Sequence, residues 1–214
     1  MILLEIKQVV TRNIMNFIKQ YFKDAKTIID QIDGSVIEKM VTIIKSVQLA
    51  NGRIFFIGVG GGAGHASHAV NDFRKICEIE SYTPSDNVSE LTARINDNGW
   101  ITAYKEWLIA SNLSKNDAIF IFSVGGGDIK RKISLNLVEA IKLAKYKKAT
   151  IIGVTGPYGG YTKKNAHHCL RIPILNKNRL TAITESFQSI IWHLLVSHPD
   201  LKKNSMKWES ILKK

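Results

Sequence analysis

Glycine placement limits what this chain can fold into more than any other feature. Of its 15 glycines, 12 fall in three clusters, at 58–64, 125–127 and 153–160. Each cluster lies at or just after a short β-branched or aromatic run: RIFFIG (53–58), AIFIFS (118–123) and TIIGVT (150–155). Short continuous apolar runs followed by glycine read as buried parallel strands ending in turns. Helix-period segments separate them, one over about 63–77 and one over 134–148 with apolar residues at 135, 138, 141 and 144. A fourth apolar run, CLRIPI, follows at 169–174. Strand and helix alternate, so the pattern predicts an α/β fold: a doubly wound parallel sheet with helices on both faces.

About 50 residues of helical pattern precede the first strand. Ile14, Phe17, Tyr21 and Ile28 share one face; Ile37, Met40, Val41, Ile44 and Val47 share another. This N-terminal helical arm is longer than one sheet needs for cover, so its apolar faces pack either on the chain's own sheet or on a second subunit. After the last strand, 181–198 is a long amphipathic helix. With 214 residues and no linker or repeat, one domain is expected: N-terminal helices over 1–50, an α/β core over 51–198 and a basic tail over 199–214.

Composition narrows the function classes. With 45% hydrophobic and 22% charged residues the chain is neither disordered, nor collagen-like, nor a disulfide scaffold. Its two cysteines, Cys77 and Cys169, point to a reducing cytosol. No apolar run reaches the roughly 18 residues a membrane helix needs, and the N-terminus MILLEIKQVV lacks a small-residue cleavage site, so neither a membrane span nor a signal peptide is expected. Lys plus Arg number 30 against 18 Asp plus Glu, a formal +12 that attracts anions such as phosphorylated metabolites. The lysines are spread along the chain without a recognition motif, which argues against nucleic acid as a partner.

In open parallel sheets ligands bind beyond the carboxyl ends of the strands, and all three glycine clusters sit at such ends. Glycine lets backbone N–H groups approach an anion, and a following helix adds a partial positive charge. The sequence therefore predicts a phosphate-holding crevice walled by Gly60, Gly61 and Gly62 and by Ser123, Gly125, Gly126 and Gly127; the competing reading is that these glycines only make tight turns. The first cluster also fits a loose dinucleotide fingerprint, Gly58-x-Gly60-x-x-Ala63, with Glu80 near the position of an acidic partner, although EIESYT is a poor strand. On the helix after that cluster His65 precedes His68 and Asp72, and the last two are four apart and share a face. The late helix offers Glu185 and His193, eight apart and so about 12 Å along its axis. Together His68, Asp72, Glu185 and His193 make a two-histidine, two-carboxylate set suited to zinc or to acid–base work. Each also has a plain reading, as a surface pair or as a satisfied core histidine beside Trp192.

The order of these motifs resembles the SIS (sugar isomerase) domain family, and within it the phosphoheptose isomerases. GVGGGAGHASHAVND is similar to that family's glycine loop and helix, LTARINDNGW (91–100) to its L-T-A-x-x-N-D-x-G segment, and FSVGGGD (122–128) to its hydroxyl-rich phosphate loop. GVTGPYGG resembles its T-G-K-D-G-G stretch, which adds Thr155 to the candidate substrate contacts, and ESFQSIIWHLL resembles its late Q-E-x-H helix. The resemblance implies a SIS-type, flavodoxin-like sheet and an aldose–ketose isomerase of sugar phosphates, assembled as a homotetramer. It places the family's helix histidine on His68, its general-base glutamate on Asp72, its late glutamine on Glu185, its final histidine on His193 and its N-D pair on Asn96 and Asp97. Zinc, where members bind it, would lie among His68, Asp72, Glu185 and His193. A carboxylate, Asp72 or Glu185, would take the proton beside the carbonyl, and His193 would move a proton at oxygen. This chain departs from the pattern: the second loop keeps Ser123 but has lost its other hydroxyls, which leaves Arg74, Lys75 or Lys130 to supply charge. The base is shortened by one methylene, about 1.5 Å. A second class fits the same fold, a non-catalytic sugar-phosphate-binding protein of the kind that associates with the replication initiator DnaA.

Overall fold

The computed structural model describes the backbone of residues 2–212 and side chains from Met15 to Leu212. Five parallel strands form one sheet: β1 (Ile54–Gly58), β2 (Ser81–Tyr82), β3 (Ala118–Ser123), β4 (Thr150–Thr155) and β5 (His168–Arg171), in the order β2-β1-β3-β4-β5. Two helices, α1 (Ile2–Gln31) and α2 (Gly34–Leu49), precede them, and α3 (Gly61–Cys77), α4 (Val88–Asn98), α5 (Ala103–Ala110), α6 (Leu135–Tyr146) and α7 (Gly160–Asn165) connect them. The sheet is followed by α8 (Leu180–Ser197) and a short α9 (Lys207–Leu212).

The central strands are mostly apolar because both faces are covered. Strand residues alternate sides. Ile54 and Phe56 of β1, Phe120 and Phe122 of β3 and Ile152 and Val154 of β4 therefore pack into a core with α2, α3 and α8. Phe55, Ile57, Ile119, Ile121 and Ile151 point the other way, toward α5 and α6. The second core holds Trp107, whose ring meets Phe55 edge-on at 5.6 Å. Trp192 is buried in the first, whereas Trp100 stays exposed.

The weak EIESYT run yields the two-residue edge strand β2, and the fourth apolar run pairs over 168–171 and stops before Pro173, which has no ladder donor to give. His167 spends its ring at the foot of β5, where Nδ1 accepts from the Ile151 amide at 3.0 Å. On α1, Ile28 is buried and Tyr21 packs on the first core, while Phe17 is exposed beneath the Arg179 guanidinium at 4.7 Å. Ile14 lies outside the described side chains. Met15, Ile18, Phe22 and Ile29 also face outward. Among the described residues no helix is long and apolar enough to cross a membrane. Both cysteines are free thiols and buried.

Candidate active site at the carboxyl end of the sheet

The strand order places β1 beside β3, with β2 reached on one side and β4 on the other. Such a switch point leaves a crevice above the strand ends. The first glycine loop packs closely against the ends of β1 and β3. A Cβ on Gly62 would stand 2.5 Å from the Phe122 carbonyl oxygen, and one on Gly58 would stand 2.3 Å from that of Gly62, so no side chain fits at either position. Gly60 has a φ of +60°, which glycine adopts without strain. The buried Tyr104 of α5 ties this loop down by donating its hydroxyl to the Gly58 carbonyl at 2.6 Å, and burial raises its phenol to about 12, so it remains a donor.

From this loop α3 carries His68 and Asp72 against α8. His68, Asp72 and His193 come together with one ligand atom of each within 4.8 Å of the others. The Nε2 of His68 is 3.9 Å from the outer oxygen of Asp72, and the His68 and His193 rings stand nearly perpendicular with centroids 5.5 Å apart. Two of the three members are oriented by a neighbour. Asp72 is buried, and its other oxygen accepts from the Asn71 amide at 2.8 Å. His193 places Nδ1 2.8 Å from the Ser189 carbonyl, which can only accept, so Nδ1 carries the hydrogen and Nε2 carries the free lone pair. The buried Trp192 ring closes one side, 4.6 Å from His68.

Glu185 stands apart from this triplet. Its carboxylate occupies the space a side chain at Gly61 would fill, 2.5 Å from where that Cβ would be. With Gly61, Gly64, His65, Ala182 and Ser186 it lines an open depression of about 470 Å³. His65, to which sequence reasoning gave no role, lies between Glu185 and the edge of the Phe122 ring. Burial lowers its imidazole below the ordinary histidine value; the Glu185 charge pulls the other way, and His68 and His193 add to the lowering.

The second loop is less free. The Ser123 hydroxyl accepts from the Gly126 amide at 2.9 Å, and the Gly126 carbonyl is held by the amide and hydroxyl of Thr162. A Cβ on Gly126 would meet the Gly159 carbonyl at 2.0 Å, and one on Gly160 would meet that of Gly125 at 2.2 Å. The second and third glycine clusters thus serve each other by close backbone contact, and Gly125 alone of its trio is exposed. Gly127 is buried beneath Val138. Thr155 is fully buried and donates to the Gly156 carbonyl at 3.1 Å. Asn96 and Asp97 sit on the exposed end of α4, bonded to each other at 2.9 Å and outside the triplet. The fingerprint's acidic residue, Glu80, is exposed and accepts from the Tyr82 hydroxyl.

Tyr104 and the Ser189 carbonyl had no sequence signal, because each acts through a contact with a distant or backbone group. His65 was visible as a third histidine, but its contact with α8 was not.

Known proteins are similar to this chain in sequence and in fold. The chain is 31% identical over 160 residues to the lincomycin biosynthesis protein LmbN of Streptomyces lincolnensis, a match that covers 70% of this chain and 56% of LmbN. It is 28% identical over 129 residues to a phosphoheptose isomerase of Rhodospirillum rubrum, covering 58% of this chain and 65% of that protein. The chain thus spans less than two thirds of the length of either relative. A solved phosphoheptose isomerase of Neisseria gonorrhoeae superposes with a TM-score of 0.75 at 19% identity, over 86% of this chain and 97% of that one, which shows a shared fold. The SIS domain matches residues 20–156, the stretch that holds the first two glycine loops and α3 with His68 and Asp72, and the chain belongs to the SIS domain family.

Proposed function

We propose that this chain is an aldose–ketose isomerase of phosphorylated sugars, with sedoheptulose 7-phosphate the first candidate substrate. The observation that carries this reading is the meeting of His68, Asp72 and His193 beside a glycine-walled strand end. Ketose-to-aldose conversion needs a carboxylate to remove a proton from carbon 1 and a second group to manage protons at the two oxygens. Glu185 and Asp72 supply carboxylates, and His193 supplies a nitrogen with a fixed lone pair. The phosphate would lie over the first loop, at Gly60, Gly61 and Gly62, with Ser123 and Gly125 across the crevice. Gly126, Gly127 and Thr155 shape that wall from beneath, and Asn96 and Asp97 would reach the substrate only from the α4 side or from a neighbouring subunit.

The triplet fits zinc. Two imidazoles and a carboxylate are common zinc donors, three protein ligands leave a position open, and bonds to Asn71 and Ser189 orient two of the three. A zinc ion held there would polarise the sugar carbonyl. The free Nε2 of His193 cannot hold a metal and relay a proton at the same moment, so metal content decides which role it takes.

The exposed apolar residues of α1, Met15, Ile18, Phe22 and Ile29, support assembly as a homo-oligomer, with four copies as the proposed number. Two buried free thiols suit a reducing cytosol. Nuclear magnetic resonance of C6 and C7 ketose phosphates incubated with the purified protein tests the reading. Aldose formation that disappears in His68→Ala and His193→Ala supports it. Binding without turnover in zinc-loaded protein would instead place the chain among the non-catalytic sugar-phosphate binders.

A further inference from the structure

We infer that Arg179 is a positioning residue for the sugar-phosphate site: bound to Asp24 of the N-terminal arm, it fixes the head of α8, whose first two turns wall the depression beside the first glycine loop. This inference rests on the isomerase reading above. The arm meets the rest of the chain through few side chains; among the described ones of α1, only Asp24 and Ile28 are buried. Arg179 Nη1 donates to one carboxylate oxygen of Asp24 at 2.7 Å, and the Gln20 side-chain amide donates to the other at 2.7 Å. The guanidinium also lies over the rings of Phe17 and Tyr21, 4.7 and 5.5 Å from their centres. The side chains of Arg179 and Asp24 are only 12% and 9% exposed, and among the described residues this is the one ion pair that α1 makes.

A buried ion pair adds little stability over apolar groups of similar size. What it adds is direction: a planar guanidinium held by a carboxylate and two rings has one placement, whereas an apolar contact can slide. The head of α8 needs that direction. β5 ends at Arg171, residues 172–176 carry no helix or strand, and after the single turn Lys177–Arg179 no side chain caps the first turn of α8. Arg179 stands directly before Leu180, and six residues, about 9 Å of helix, separate it from Glu185. Ala182, Glu185 and Ser186 from these turns line the depression together with Gly61, Gly64 and His65. Farther along, Phe187, Ile191, Trp192 and Leu195 seat α8 in the first core without Arg179, so His193 keeps its place when the pair is removed.

Two variants separate positioning from stability. Asp24→Asn and the paired replacement Asp24→Leu/Arg179→Met are compared with the wild-type chain. The readouts are melting temperature, kcat and KM with sedoheptulose 7-phosphate, and amide hydrogen exchange along α8. Asp24→Asn leaves the Arg179 charge buried without its counter-charge and should melt below wild type, whereas the paired replacement leaves no charge behind and should melt close to it. Both are expected to raise KM about 10-fold with kcat within about 3-fold of wild type. Exchange should quicken over 180–186 and keep its wild-type rates over 187–197. A paired variant with wild-type KM, or with wild-type exchange over 180–186, would show a pair that only stabilises and overturns the inference. A wild-type protein that neither binds nor turns over any C6 or C7 ketose phosphate overturns the isomerase reading, while exchange over 180–186 decides separately whether the pair fixes the head of α8.

Discussion

His193 gives its Nδ1 hydrogen to the Ser189 carbonyl at 2.8 Å, one helical turn back on α8, and that bond leaves the free lone pair on Nε2 of a ring that stands with His68 and Asp72. A histidine whose tautomer is fixed in this way is prepared for one role. Replacing it with glutamine removes the imidazole nitrogen on which the triplet depends. We expect His193→Gln to fold with a melting temperature close to wild type but to retain no stoichiometric zinc after desalting. Retention of one zinc per chain would show that the metal is held elsewhere.

Gly61 and Glu185 should be separable from stability. An added methyl at Gly61 meets only the far end of the flexible Glu185 side chain, which can swing away. Alanine also favours a helical position over glycine by about 1 kcal/mol. Gly61→Ala is therefore expected to melt at or above the wild-type temperature while kcat falls about 100-fold or more. A variant that melts well below wild type would mean that the loop, and not the carboxylate, needs this glycine.

Acid should weaken the fold through His65. Its imidazole titrates below the ordinary histidine value when folded, chiefly through burial. Between that lowered value and about 6.5, the unfolded chain binds the proton more readily, so stability rises with pH and the His65 contribution is complete only above about 6.5. Melting temperatures measured from pH 7.5 down to 5 should decline, and His65→Gln should decline less steeply over the same interval. Parallel curves for the two proteins would remove His65 from this account.

The outer face of α1 is expected to be a subunit contact. Phe22 is 68% exposed and Ile18 40%, a costly display for a helix that solvent alone would cover. Sedimentation velocity should show a wild-type particle several times the 24.0 kDa chain mass, and Ile18→Glu/Phe22→Glu should reduce it. A wild-type protein that sediments as a monomer contradicts this.

Most of the fold was legible because the signals are local. The runs at 53–58, 118–123 and 150–155 are apolar at most strand positions, and each reaches a glycine at its end or within two residues of it, so the three central strands and their turns could be placed. β2 could not, because two residues at a sheet edge carry too little pattern. The site was legible in its residue types. His68 and Asp72 share a helix face by spacing alone, and His193 lies within 4.8 Å of both. The separate position of Glu185 depends on the absence of a side chain at Gly61, a contact between elements more than 120 positions apart. The glycine-rich second loop misled in part: Gly126 and Gly160 need their missing side chains for mutual packing, which leaves less of that loop free for an anion than three consecutive glycines suggest.

The central claim is that this site breaks a carbon–hydrogen bond next to a sugar carbonyl. Proton resonance spectra of sedoheptulose 7-phosphate in deuterated water, recorded with the zinc-loaded wild-type protein, read that event directly. The carbon 1 proton signals should fade as deuterium enters, with matching aldose signals, and neither change should occur with His68→Ala/His193→Ala. Carbon 1 signals that persist undiminished, while the sugar phosphate measurably binds, would contradict the account.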